Sequence, residues 1–151
     1  MENTMSVAMA LDSMFYEKNG KHIDEMRMHK LMYFAQRESL MYNNEPLFDA
    51  TFYGWKYGPV LKEVRYDFKK NLSLESSSNL QSQVSEDTKN LLKRVFDRYG
   101  SLSPWKLSAL SHEEFSWKMA RSGLDYEDNG DVALSLAAMK VDAQRELMNR
   151  K

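Results

Sequence analysis

Between Asp24 and Asn43 the chain places apolar side chains around most of the circumference of one helix, through Met26, Met28, Leu31, Met32, Tyr33, Phe34, Ala35, Leu40 and Met41. Asp24 suits the N-cap of that helix, and Asn43-Asn44 its end. A helix that is apolar on nearly every side has to be surrounded, so it belongs near the middle of a core and the other segments must enclose it. Val7, Leu11, Met14 and Phe15 recur at i, i+4, i+7 and i+8, which predicts a preceding helix capped by Ser6 and stopped at Gly20. Ser85, followed by Glu86 and Asp87, opens a later helix with Leu91, Leu92, Val95 and Phe96 on one face and Gly100 as its C′ glycine. Ser103-Pro104 pairs an N-cap with a proline at N1, opening a short helix through Trp105, Leu107 and Leu110, and 112–121 reads as a further helical piece. Ser135 starts a last helix with Leu136, Met139, Ala143 and Leu147 on one face.

The period changes between Leu47 and Tyr57, where Thr51, Tyr53, Trp55 and Tyr57 alternate with Phe52, Gly54 and Lys56. Most of these residue types favour extended backbone, so a short β strand or hairpin arm is expected around 47–58. Gly58-Pro59 should end it, with Pro59 at the first position of a third helix whose inner face is Val60 or Leu61, Val64 and Phe68. The serine-rich stretch 71–84 reads as a surface loop, and the acidic stretch 125–131 as another. The expectation is a mainly α fold: one compact domain spanning 1–151, with about six helices and one small β element.

Composition narrows the function classes. A chain of 151 residues, 42% hydrophobic and 28% charged, is long enough for one sizeable core and too apolar for disorder. A net charge of −1 gives no overall pull toward nucleic acid or anionic membrane, so neither is the expected partner. The absence of cysteine excludes disulfides, thiolate metal sites and a cysteine nucleophile. The first residues lack a basic leader pattern, and no run of about 18 apolar residues follows, so a cytoplasmic location is expected.

Catalytic patterns are sparse. His112-Glu113 begins like an H-E-x-x-H zinc helix, but Ser116 stands where the second imidazole is needed, so no metal is expected. His112 is instead read as a helix-end residue holding a backbone carbonyl or Glu114. Six scattered glycines form no phosphate-cradling loop, and Glu113 and Glu114 point to different faces of a helix. A protein that binds, without catalysis or cofactor, is the reading these features favour; a hydrolase using His112 and Glu114 ranks last.

Three stretches together resemble the Panacea (SocA-like) antitoxin family. Lys30-Leu31-Met32-Tyr33-Phe34-Ala35-Gln36, followed by Glu45-Pro46-Leu47-Phe48, is similar to the family's KLLYFAQ helix and PLF turn. Gly54-Trp55-Lys56-Tyr57-Gly58-Pro59-Val60 is similar to its AW(R/K)YGPV segment. Tyr99-Gly100-Ser101-Leu102 through Leu107-Ser108-Ala109-Leu110-Ser111-His112-Glu113-Glu114 to Trp117 is similar to YG-x-L followed by L-x-x-L-T-H-x-E-x-P-W. Order and spacing agree from about Leu11 to Arg121. The departures are Ser111 for threonine and Phe115-Ser116 for the usual Gly-Pro, which bear on loop geometry and partner choice.

The resemblance implies an antitoxin that binds and neutralises a cognate toxin, by occlusion or by delivering it to a ClpXP-type protease. Candidate partner-binding residues are Trp55, Lys56, Tyr57, Gly58, Pro59, Lys30, Gln36, His112 and Trp117, with Lys56 the favoured contact and the two rings weighed against plain core packing. The alternative is a nucleic-acid-binding or phage-associated regulator. It would use Lys89, Lys93, Arg94 and Arg98 beside Lys62, Arg65, Lys69 and Lys70, if their helices lie side by side. Eleven methionines suit either an adaptable groove or gap-filling in the core.

Overall fold

The computed structural model describes residues 1–70 and 83–151, so the loop expected at 71–84 lies almost wholly outside the described residues. In chain order the elements are helix α1 (Thr4–Asn19), helix α2 (Glu25–Tyr42), strand β1 (Phe52–Trp55), strand β2 (Gly58–Leu61), and helices α3 (Lys62–Lys70), α4 (Glu86–Tyr99), α5 (Pro104–His112), α6 (Phe115–Ala120) and α7 (Leu136–Asn149). The fold is mainly helical with one antiparallel hairpin, and it has seven helices among the described residues.

As its composition demands, α2 is the central element. It packs against α7, α4, α5, β2, α1 and α3, and Leu31, Met32, Tyr33 and Ala35 are completely buried. Truncating Leu31 or Met32 to alanine typically costs about 2–5 kcal/mol. Phe34 stacks on Tyr99 of α4 at 4.3 Å, and Tyr33 meets Phe52 of β1 edge-on at 5.5 Å. Met9, Met28, Met32, Met41 and Met139 all fill this core, the plainer of the two uses of methionine.

Four of the expected caps close their helices: Asp24, Ser85, Ser103 and Ser135 each accept an N–H three residues on. The first helix differs. Asn3, not Ser6, is its N-cap, accepting the Ser6 N–H at 3.0 Å. The Glu2 N–H donates to the Leu47 carbonyl at 2.8 Å, which anchors the chain early enough for the helix to begin at Thr4. Gly100 follows α4 as expected but keeps right-handed backbone (φ −66°); its role is close approach, because a Cβ there would lie 2.7 Å from the Phe96 ring.

Pro59 corrects the expectation of a third helix starting there. It lies inside β2, paired with Gly54, and α3 begins only at Lys62. Gly54 N–H and the Phe52 carbonyl face away from β2, bonding Val132 and Leu134 at 2.9 and 2.8 Å. The pairs Gly54–Pro59 and Phe52–Leu61 are therefore the non-hydrogen-bonded ones, and Pro59 turns its missing N–H outward at no cost to the ladder. The outward Leu61 N–H is accepted by His29 Nδ1 at 3.2 Å, so α2 covers the free edge of the hairpin.

Candidate partner-binding site

The three sequence stretches singled out above converge on the hairpin tip. Gly58 has φ +122°, open to glycine and strained for other residues. A Cβ at that position would lie 2.6 Å from Ser111 Oγ and 2.8 Å from both Cε and Nζ of Lys30. Lys30 comes from α2, Gly58 from β2 and Ser111 from α5, so one residue of each stretch meets at this point. Ser108 Oγ donates to the Tyr57 carbonyl at 2.7 Å, fastening the tip to α5.

Trp55 is half-buried; its Nε1–H donates to Asp131 Oδ1 at 2.9 Å and the Arg65 guanidinium lies 5.3 Å from its ring. Lys56 Nζ pairs with Glu127 at 3.1 Å, and that carboxylate holds the ammonium's pKa above its ordinary value. Tyr57 is exposed and meets the exposed Trp105 ring edge-on at 5.6 Å. Pro59 and Trp117 are buried, Trp117 donating from Nε1 to the Trp55 carbonyl at 2.8 Å. His112 is half-buried and stacks flat on Trp117 at 4.2 Å, with Tyr126 edge-on to it. Burial, together with the nearby Lys30 and Arg121 charges, keeps His112 below the ordinary histidine range.

Two candidates are interior. Gln36 is 2% exposed and is consumed in structure: its Oε1 accepts the Leu47 and Phe48 N–H groups and its Nε2 donates to the Phe48 carbonyl. That ties α2 to the Pro46-Leu47-Phe48 turn, away from the hairpin tip. Lys30 is 1% exposed, yet it lines a cavity of about 300 Å³ together with His29, Trp55, Lys56, Tyr57 and Arg65. Burial lowers Lys30 to about 8, only partly opposed by the Glu25 carboxylate. His29, beside it, is neutral with the proton on Nε2, because Nδ1 accepts from Leu61 while Nε2 faces Glu25 at 2.9 Å.

Glu114 is not the partner of His112. It contacts Arg37 directly, and burial, against the pull of that guanidinium, pushes it up to about 7. The departure at Phe115-Ser116 is also accounted for: both N–H groups donate to the Asp142 carboxylate of α7, at 2.6 and 2.9 Å. The Tyr33 hydroxyl joins them at 3.0 Å. A proline at 116 would forfeit one of these bonds.

The basic residues of the alternative reading are distributed differently. α3 packs on α2, β2 and α1, and α4 on α2 and α1, with no extensive contact between α3 and α4 among the described residues. Lys89, Lys93 and Arg94 stand near Glu86, Asp97 and Glu38 respectively. Lys62 and Arg65 of α3 pair with Asp131 and Glu25. Among the described residues no group of three or more histidines and acids is arranged to hold a metal ion, and no helix is long and apolar enough to cross a membrane.

Sequence reasoning missed His29, Trp105 and Arg121. The i, i+4 spacing of Glu25 and His29 was a usable signal. Arg121 had none: it gathers the carbonyls of Gly54, Asp125, Asn129 and their neighbours, clamping the acidic loop against β1.

The family model for the antitoxin SocA-like, Panacea domain matches residues 28–118, well over half of the chain and spanning all three converging stretches. No curated protein and no solved structure matches significantly. The family carries a general antitoxin-like role and implies a protein partner. The chain belongs to the antitoxin SocA-like, Panacea domain family.

Proposed function

We propose that the protein is an antitoxin that neutralises a cognate toxin by binding it directly through the hairpin-tip face, without turnover. The observation that carries this reading is the exposed ring pair Tyr57 and Trp105, with Lys56 beside it and Tyr126 65% exposed on the neighbouring loop. Rigid aromatics next to a cation supply contact area at small entropic cost, the usual make-up of an interface hot spot. The face is also held in place before binding, by Ser108 on the Tyr57 carbonyl and by Arg121 on the acidic loop, which lowers the ordering cost of association.

The test is capture of the product of the adjacent gene by the purified protein, with Tyr57→Ala/Trp105→Ala and Lys56→Glu alongside. We expect the double variant to lose at least about 30-fold in affinity, as removal of a hot spot does, and Lys56→Glu to bind more slowly. Full affinity in the double variant would move the contact to another face.

A further inference from the structure

We propose that the cavity behind the hairpin tip is a carboxylate-binding pocket, with the Lys30 ammonium as its anion-recognising group, and that it receives a carboxylate of the bound partner chain. The source of the carboxylate rests on the toxin-binding reading above; the pocket's chemistry does not.

Charge accounting selects the ligand. Arg65 pairs with Glu25 at 2.9 Å, and Lys56 pairs with Glu127 at 3.1 Å. His29 is neutral, bonded at both ring nitrogens. Of the basic side chains lining the cavity, only Lys30 has no hydrogen bond or salt bridge to a described residue, although it is 1% exposed. Glu25, the carboxylate whose field it feels, is already shared by His29 and Arg65. A buried ammonium without partners is costly, and the cost is removed by a ligand bringing one negative charge and acceptor oxygens. A doubly charged phosphate would exceed the one uncompensated charge.

Shape selects what carries the charge. The walls include Met26, Trp55, Tyr57 and Val60, and the cavity of about 300 Å³ stands at the small end of ligand sites. It accommodates roughly one apolar residue ending in, or adjoining, a carboxylate. The bare backbone at Gly58 lets the Lys30 stem pass at close range, so the ammonium reaches the cavity from the helix side and not from the rim.

The experiment is calorimetric titration of the whole protein with three synthetic peptides at millimolar concentration. They are acetyl-Gly-Gly-Phe with a free carboxylate, the same peptide as its C-terminal amide, and acetyl-Gly-Glu-Phe-amide. At least one acid peptide should bind tenfold or more tighter than the neutral amide, and Lys30→Met should abolish that preference while the thermal transition persists. The free-acid peptide binding best assigns the source as a chain end; the glutamyl peptide binding best assigns it as a side chain. Equal binding of all three, binding of none, or an acid preference retained in Lys30→Met overturns the pocket. Toxin capture without acid preference would sink the pocket and leave the antitoxin reading intact; acid preference without toxin capture would do the reverse.

Discussion

Lys30 and Arg37 sit seven residues apart on α2, about 10 Å along the same face of one helix, and both are buried. Their surroundings are opposite. Arg37 contacts Glu114, donates to the Tyr99 hydroxyl at 2.7 Å, lies 3.8 Å from Glu146 and covers the Phe34 ring at 4.8 Å. Only its Nε lacks a partner. Both line a cavity, of about 300 Å³ at Lys30 and about 240 Å³ at Arg37, but Arg37 has carboxylates beside it and Lys30 has none in contact among the described residues. A planar fork with several donors is suited to cross-linking α2, α4, α6 and α7, while a single ammonium on a flexible stem is suited to meeting something that arrives. One helix therefore keeps one cation to hold the fold together and another that folding leaves unsatisfied.

The sharpest way to break this contrast is Arg37→Met. It leaves Glu114 buried without its counterion and should cost about 3–5 kcal/mol, read from the midpoint of urea unfolding. A loss near zero would make the two cations equivalent. Lys30→Met should act in the opposite direction, stabilising the fold by about 1–3 kcal/mol because it removes an unpaired buried charge at nearly constant shape. Destabilisation of that size would show that Lys30 has a structural partner after all.

The smallest effect is a slope of at most about 1.4 kcal/mol per pH unit, and its sign separates the two sites. Lys30 falls from 10.5 unfolded to about 8 folded, so between those values the unfolded chain holds the extra proton and stability rises with pH. Glu114 rises from 4.5 to about 7, so across that window the folded chain holds the extra proton and stability declines as pH rises. Unfolding midpoints measured from pH 4 to 11 should fall, level out and rise again, and Lys30→Met should lose only the alkaline limb.

Much of the scaffold was legible in the sequence because its signals are local. The caps at Asp24, Ser85, Ser103 and Ser135, and the apolar girth of α2, need only neighbouring residues to be read. Pro59 was misread because a proline after glycine suits a helix start and an outward edge position equally well. The choice was made by 132–134, which occupies the other side of β1 from far along the chain. The charged residues buried on α2 were illegible for a related reason. Periodicity counts Lys30, Arg37 and Glu38 as solvent-facing, whereas their burial depends on partners such as Glu114 and Arg150, or on a cavity that only the folded chain encloses. The hairpin tip itself could be singled out, but not which of its residues form the rim and which the floor.

The close approach at Gly58 has a consequence for anyone recombining such proteins. Because the glycine, Lys30 and Ser111 fill one another's space, the hairpin is not an interchangeable cassette. Transplanting the tip of a relative would bring new rim side chains onto an unchanged floor, and a bulkier residue at 58 would push the lysine aside instead of merely straining its own turn. The unit of this site is a contact among three segments scattered along the chain, so the exposed side chain at Tyr57 is open to independent exchange while the junction beneath it accepts changes only in concert.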